Sequence, residues 1–511
     1  MASSKKTVNS NVTGVAVAEE ATPKVLPGSP VWRDRPVNSY SDFGGEISTV
    51  AAEPINRSRQ NQRGTVTDID ASGGYNIDMN NDLTEDMQGF FFADAHEKVD
   101  TAPLNGTAIT ITGVAGSGAY SAASGLTVFT VGALVFASGF DNAANNGAGK
   151  VTASASGTLT TDIATVAEAS PPSTARIRQV GFEFGSGDLA MTVGAATVTL
   201  SSTAGDWLNL DLQVGEWVFI GGDDAGTRFN AGYGYGRVQS KDNDDVVLDN
   251  VAWTGGTLAT DAGTGKTIRV FAGTFIRNEK TPSLIVTRTY QVERTLGDDD
   301  DGTMSEYLTG AVANELTLNI PLTDKHTADF SYMALDNEQR TGADGVKSGS
   351  HVELVKQAPY NTSSSVFRLQ MSILDASTLN PTAMFGYASD ATFTINNNAT
   401  ATKAIGNLGG IDINVGNFVV GGSVTAYFTQ VEAVQAIRNN ADVGFNAILA
   451  QGNKGLVYDV PLLGVGGGRL NVEKDAPITL PVENMGAEND NGYTMSYTEF
   501  AYLPTVAMPV V

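Results

Sequence analysis

Three groups of residues in this sequence are of types that could do chemistry. GTGKT, Gly263 to Thr267, ends like a phosphate-binding loop, in which backbone N–H groups cradle phosphates and the lysine reaches the terminal ones. That loop needs another glycine, separated from the Gly-Lys pair by four residues, and Thr260 stands there. The residues that follow, TIRVFAG, read as a strand, whereas a phosphate site needs the N-terminus of a helix. The expectation is a hairpin turn. LGDDDDG, with Asp298 to Asp301, could suggest calcium, but its spacing lacks the glycine and the terminal glutamate of an EF-hand loop, so a solvated acidic loop is expected. His96, His326 and His351 lie far apart with no neighbouring ligand pattern, and zinc chemistry has no support. Carboxylates are too numerous to single out an acid–base pair, and no G-x-S-x-G element is present. No catalytic, cofactor-binding or metal site is expected, and the chain is read as something other than an enzyme.

Composition narrows the remaining classes. The 511 residues are enough for about three ordinary domains. With 57 glycines and only 17% charged residues, the chain reads as a globular protein rich in strands and turns. A net charge of -25 disfavours gripping nucleic acid, because phosphate binding relies on basic side chains that displace counterions. Cysteine is absent, so burial and backbone pairing must hold the fold without disulfides. No apolar run is long enough to span a membrane, and the residues after Lys5 and Lys6 are too polar for a signal-peptide core. A soluble, unsecreted chain is expected.

The elements follow from pattern. Residues 1–63 carry Pro23, Pro27, Pro30, Pro36 and Pro54, with Arg57, Arg59 and Arg63 near the end, and are read as an extended arm. In DLTEDMQGFFF the spacing of Leu83, Met87, Phe90 and Phe91 predicts a short helix, with Asp82 and Glu85 as a capping box. The phrase V-G-x-x-V-F occurs at Val131–Phe136 and again, 83 positions later, at Val214–Phe219. Each copy is followed by a Gly-rich turn, a strand opening Gly149-Lys150-Val151 or Gly236-Arg237-Val238, and an Ile-Arg strand at Ile177 or Ile268. Matching landmarks in the same order point to two copies of one small β-module, with loops that have diverged in length.

After Lys280 the strands lengthen and alternate with period two, the mark of a sheet with one packed and one wet face. Leu316, Leu318 and Ile320 alternate with Glu315, Thr317 and Asn319; Phe367, Leu369, Met371 and Ile373 alternate with Arg368, Gln370 and Ser372. Glu315, Thr317, Asn319 and Gln370 are candidates for the wet face. QVEAVQAIRNN is expected to be a helix with Val431, Val434 and Ile437 on one face.

The order of these features resembles the tail tube (major tail) proteins of long-tailed, siphovirus-type bacteriophages. Pro30 to Phe92, PVWRDRPVNSYSDFGG through DLTEDMQGFFF, resembles that family's opening, and Ala426 to Gly468, AYFTQVEAVQAIRNN through LLGVGGG, resembles its later helix and strands. The likeness covers roughly residues 25 to 100 and 283 to 511. It implies a mainly β fold, a tail-tube β-sandwich or barrel domain with one or two short helices, here interrupted by two tandem barrel-like modules. The division expected is an arm (1–63), the first part of the tube domain (64–102), module one (103–185), module two (186–281) and the rest of the tube domain (282–511).

The resemblance further implies a structural virion protein assembled in the host cytoplasm, with hexameric rings stacked into a tube through which DNA passes without specific binding. Its implied partners are copies of itself and the tail terminator, tape measure and tail-tip proteins, with no membrane and no cofactor. The modules would decorate the outside of the tube, and the arm would bridge rings. Two other readings remain open: a capsid or decoration protein, and a carbohydrate-binding adhesin using Trp207, Trp217 and Trp253 of the second module.

Overall fold

The computed structural model describes residues 8–509 apart from 54, 56, 58, 61, 204–205, 354–356 and 375–381. The fold is mainly β, with two α-helices among the described residues, Thr84–Phe91 and Val431–Arg438.

One long strand, Thr303–Ile320, organises the larger domain. Its first half pairs with Tyr290–Asp298 and Asp336–Arg340, and its second half with Thr327–Ala334 and Ala388–Asn396. The change of partners falls at Gly310, whose φ of +59° suits glycine and whose absent Cβ leaves room for Leu335. Beyond Thr327–Ala334 the sheet continues into Gln62–Asp78 and Val37–Ala52. Beyond Ala388–Asn396 it continues through Val419–Tyr427, Thr479–Gly486, Lys454–Gly467 and Val443–Gln451 to Val366–Ile373. Leu316, Phe330, Phe393, Val424 and Val482 meet on one face in a core that also takes in Met87 and Phe90 of the first helix. The larger domain is thus assembled from chain on both sides of the central third.

The expectation of an extended arm over 1–63 needs correcting. Residues 1–7 lie outside the described residues, but Gly14–Glu19 is a strand paired with Tyr290–Asp298, and Val31–Arg35 adds beside it. Pro23, Pro27, Pro30 and Pro36 fall in the connections between strands, so they separate paired elements and do not prevent them. Val15, Val17 and Trp32 are buried, and the buried Arg35–Asp86 ion pair ties this edge to the first helix.

That helix starts as predicted but is capped differently. Its N-cap Leu83 makes no side-chain cap, and the carboxylate of Glu499, remote in sequence, accepts from the Leu83 N–H and the Thr84 hydroxyl. A tertiary carboxylate does the work expected of Asp82 and Glu85. In the second helix Ala433 and Ala436 are buried, Val434 and Ile437 pack beside them, and Val431 points to solvent.

The central third forms its own twelve-stranded sheet, and its strand order repeats. The first half contains, in chain order, Ile111–Ala115, Ala119–Ala122, Ala133–Ser138, Gly147–Ala155, Thr158–Thr161 and Arg176–Glu183. The second contains Leu189–Val193, Val198–Ser202, Trp217–Ile220, Tyr233–Lys241, Asp245–Thr254 and Arg269–Ala272. Both halves are ordered first, second, fifth, fourth, third, sixth, and the two sixth strands pair with each other. The repeated phrase enters the third strand of each half. Gly132 and Gly215 share a φ of +94°, and each donates its N–H to the valine of the Gly-Lys-Val or Gly-Arg-Val landmark, Val151 at 3.0 Å and Val238 at 2.8 Å. Neither half is a closed barrel. Each edge strand is tied back by an isolated bridge, Val114 to Glu168 and Met191 to Asp261, and by a threonine hydroxyl, Thr165 donating to the Ala115 carbonyl and Thr260 accepting from the Val193 N–H.

Candidate functional site: a polar sheet face, a projecting hairpin and a buried junction

The stretches that first suggested chemistry are turns and packed side chains. Gly263 and Gly265 both have positive φ, Lys266 donates from Nζ to the Ala225 carbonyl, and the loop leads into the strand Arg269–Ala272. Asp299 accepts from the N–H groups of Asp301 and Gly302 and from the Thr341 hydroxyl, bonds that lower its pKa and close the turn between two strands. His96 pairs through its backbone with Phe275, His326 is buried, and His351 contacts Asp34 and stacks on Trp32. Of the three tryptophans considered for an adhesin, Trp207 and Trp217 are buried, and Trp253 is half-buried with its indole N–H on the Ala231 carbonyl.

The wet face expected from alternation is realised across five strands. Glu315, Thr317 and Asn319 stand beside Asp329 and Ser331, then Thr392, Thr394 and Asn396, then Ser423 and Thr425, then Glu483, while the intervening residues are buried. Over residues 314–320 and along the four strands Thr327–Ala334, Ala388–Asn396, Val419–Tyr427 and Thr479–Gly486 there is no lysine or arginine. The carboxylates are held by amides. Asn319 and Asn76 both donate to Asp329 at 2.7 Å, and Asn396 donates to Glu315 at 2.9 Å. Thr317 and Thr394 share a hydroxyl contact at 3.0 Å. The face is therefore acidic, hydroxyl-rich and cross-linked by neutral donors.

Gln370 does not belong to it. Its strand lies beyond Val443–Gln451 in the sheet, where Arg368 donates to Asn250 of the central sheet at 2.8 Å and Ser372 is buried. Alternation in this strand separates one packed surface from another, a distinction that period two cannot carry.

That junction is extensive. Leu134, Trp217, Phe219, Tyr235 and Phe271 of the central sheet pack on Ile448, Val457, Phe500 and Leu503 of the larger domain. The third strands of both halves are thus buried on two faces, since Val135 and Val218 point into the central sheet's own core. Arg237 bridges the domains, bonding Asp249 at 2.8 Å and Asp459 at 3.0 Å. Lys98 and Glu216 form a second buried pair at the crossing, where burial pushes the Glu216 pKa up.

The long hairpin Val37–Ala52 and Gln62–Asp78 leaves the sheet. Its base is held by Arg294, stacked 4.5 Å over Phe43 and paired with Glu306, and by Lys403, which binds Asp68 and Asp70. The last seven residues of the first strand, Glu46 to Ala52, are exposed on both faces, with Ile47 and Val50 in solvent. The sequence marks the second strand, since GTVTDIDASGGYNIDMN reads as strand-like, but not the first, whose alternation is obscured by bulges, four register shifts in all.

A family model described as phage tail tube protein matches residues 10–215 and 179–486, two overlapping stretches that together span most of the chain. No curated protein matches the sequence. With its mainly β architecture and interrupted large sheet, the chain belongs to the phage tail tube protein family.

Proposed function

We propose that this chain is the building unit of a long-tailed phage's tail tube, closing into hexameric rings that stack around the path of the genome. The observation that carries the reading is the polar face. Five adjacent strands bury one side in the core and present carboxylates, amides and hydroxyls on the other, with no cation in those strand segments. A channel for duplex DNA needs a wall to which phosphate does not adhere, and this face supplies none of the counterion-releasing side chains that adhesion requires. Screening confines the repulsion to about 8 Å at physiological salt, so a polyanion passes close by without being held.

The sheet supports closure. Val37–Ala52 and Ser350–Val352 each have one side with no strand paired to it among the described residues. Such edges invite pairing, and joining them to identical neighbours in a ring satisfies them. The central sheet, the two expected modules, would sit outside the tube, and within the stretch expected to be an extended arm the projecting hairpin would be the ring-bridging element. Tail terminator, tape measure and tail-tip proteins would meet the tube's ends, with assembly in the host cytoplasm before DNA ejection. Negative-stain microscopy of the purified full chain tests this: hollow striated tubes are expected, and shells or persistent monomers at high concentration would overturn it.

A further inference from the structure

The duplication leaves a cleft between its two copies. In each half a short helical turn precedes the repeated phrase, Leu126–Val128 in the first and Asp206–Asn209 in the second. Both turns line one cavity of about 620 Å³, closed further by the chain that enters the central sheet, residues 95–109, and by Gln179 of the first half's last strand. Bonds within the chain hold these walls. Glu97 accepts from the Leu104 N–H at 2.7 Å, Asn105 donates to Gln88 of the first helix at 2.7 Å, and Gln179 donates to the Asn209 carbonyl at 2.8 Å. A cleft fixed in this way loses little freedom when it is filled.

Its chemistry selects a class of ligand. Val128 and Leu208, one from each half, are 49% and 68% exposed, large apolar side chains left in water. Beside them stand the exposed hydroxyls of Thr107 and Thr130, the Asn105 amide, the Asp211 carboxylate and the His96 ring, which burial keeps neutral by lowering its pKa. Lys98 is the one cation among the described residues lining the cleft, and its Nζ is taken up by Glu216 at 3.0 Å and the Asp211 carbonyl at 2.9 Å. Lys241, outside the lining, lies 3.8 Å from the Asp211 carboxylate and is spent on it. A phosphate, sulfate or sugar acid would therefore enter beside Asp211 with no cation to receive it. An extended peptide is served no better. Gln179 is the one lining residue in a regular strand; it pairs with Val135 on one side and donates its N–H to the Val99 carbonyl on the other, so no open strand edge is offered for backbone pairing.

We infer that this cleft, with Val128 and Leu208 as its apolar wall and Asn105, Thr107, Thr130 and Asp211 as its polar contacts, binds a neutral saccharide. The C–H faces of a sugar lie against the aliphatic side chains, while its hydroxyls donate to carboxylate and amide oxygens and accept from the threonine hydroxyls. None of Trp207, Trp217 and Trp253 lines the cleft, so the site is distinct from the one those residues suggested. The inference stands independently of the tube reading. In any assembly the cleft recurs once per copy, and many weak sites on one particle hold a polysaccharide far more firmly than one.

The test applies the full chain to an array of neutral oligosaccharides built from glucose, galactose, mannose and N-acetylglucosamine, with sialylated, sulfated and uronic-acid glycans and an oligolysine peptide alongside. Binding to at least one neutral series is expected, and titration calorimetry with the best of them then compares variants. V128R combined with L208R, both at exposed positions, fills the cleft and should weaken binding about tenfold or more, while V472R, exposed on the larger domain, should leave it unchanged. Circular dichroism checks folding, and L208N, a smaller change to the same wall, is expected to weaken binding in the same direction should the double variant not fold. The inference is overturned if no neutral glycan binds, if the anionic glycans or oligolysine bind more tightly, if a folded cleft variant keeps native affinity, or if V472R loses binding equally.

Discussion

At the scale of single residues, two buried polar groups have consequences out of proportion to their number. His326 is fully buried, neither ring nitrogen has a partner among the described residues, and burial lowers its pKa from 6.5 to about 4. Between those values the unfolded chain binds a proton that the native state refuses. His326 therefore contributes stability that is complete above about pH 6.5 and is lost as pH falls towards 4, by up to about 3 kcal/mol. Glu216 and Asp459, whose pKa values burial raises, act in the opposite sense. A comparison of variants separates the two: H326L is expected to lose less urea stability than the native chain between pH 6.5 and 4.5, and parallel curves would refute the assignment. Glu499 is the second case. Because it accepts from Leu83, Thr84 and Tyr497, E499A should cost about 1–3 kcal/mol in urea unfolding. No local pattern in DLTEDMQGFFF could disclose it, since the cap comes from more than four hundred residues away.

At the scale of elements, the repeated phrase has a definite physical content. Its valine and glycine make the entry to a strand, with glycine at φ +94° in both halves, and its apolar end is buried on both faces. A Cβ at position 132 would press on the Phe182 ring and one at 215 on the Tyr493 ring, 2.9 and 2.6 Å from the nearest atoms. G132A and G215A are each expected to cost at least about 1–2 kcal/mol, measured by urea unfolding, because strain and contact add. The duplication was legible because such an entry tolerates few substitutions. Of the projecting hairpin only the second strand was, since the outer part of the first is exposed on both sides and obeys no hydrophobic period.

At the scale of the whole molecule, the decisive feature is the junction between the central sheet and the larger domain. Arg237 holds two carboxylates there, one from each body, and Asp459 is almost wholly buried. Removing one partner of a buried pair costs about 3–5 kcal/mol, because the remaining charges stay desolvated. R237M should therefore loosen the central sheet, seen as faster limited proteolysis of the segments that cross at His96 and Phe275, and adding D249N and D459N should recover much of the loss. Cleavage at the native rate in R237M would show that the apolar contacts alone hold the junction. A firmly docked central sheet keeps the polar face and both ends of the large sheet free for contacts between copies, as the assembly proposal requires.

The sequence by itself determined the mainly β class, the two helices, the order of the repeat and the acidic alternation that became the polar face. Each is written in local periods, in turn-forming glycines or in overall charge. Tertiary structure decided the rest. It turned the expected arm into paired strands, moved Arg368 from solvent into a junction, supplied a helix cap from Glu499 and joined two modules through their last strands. The reason is common to all of these: a period says which side chains share a face, but what covers that face depends on pairings between residues hundreds of positions apart, and those carry no local signature.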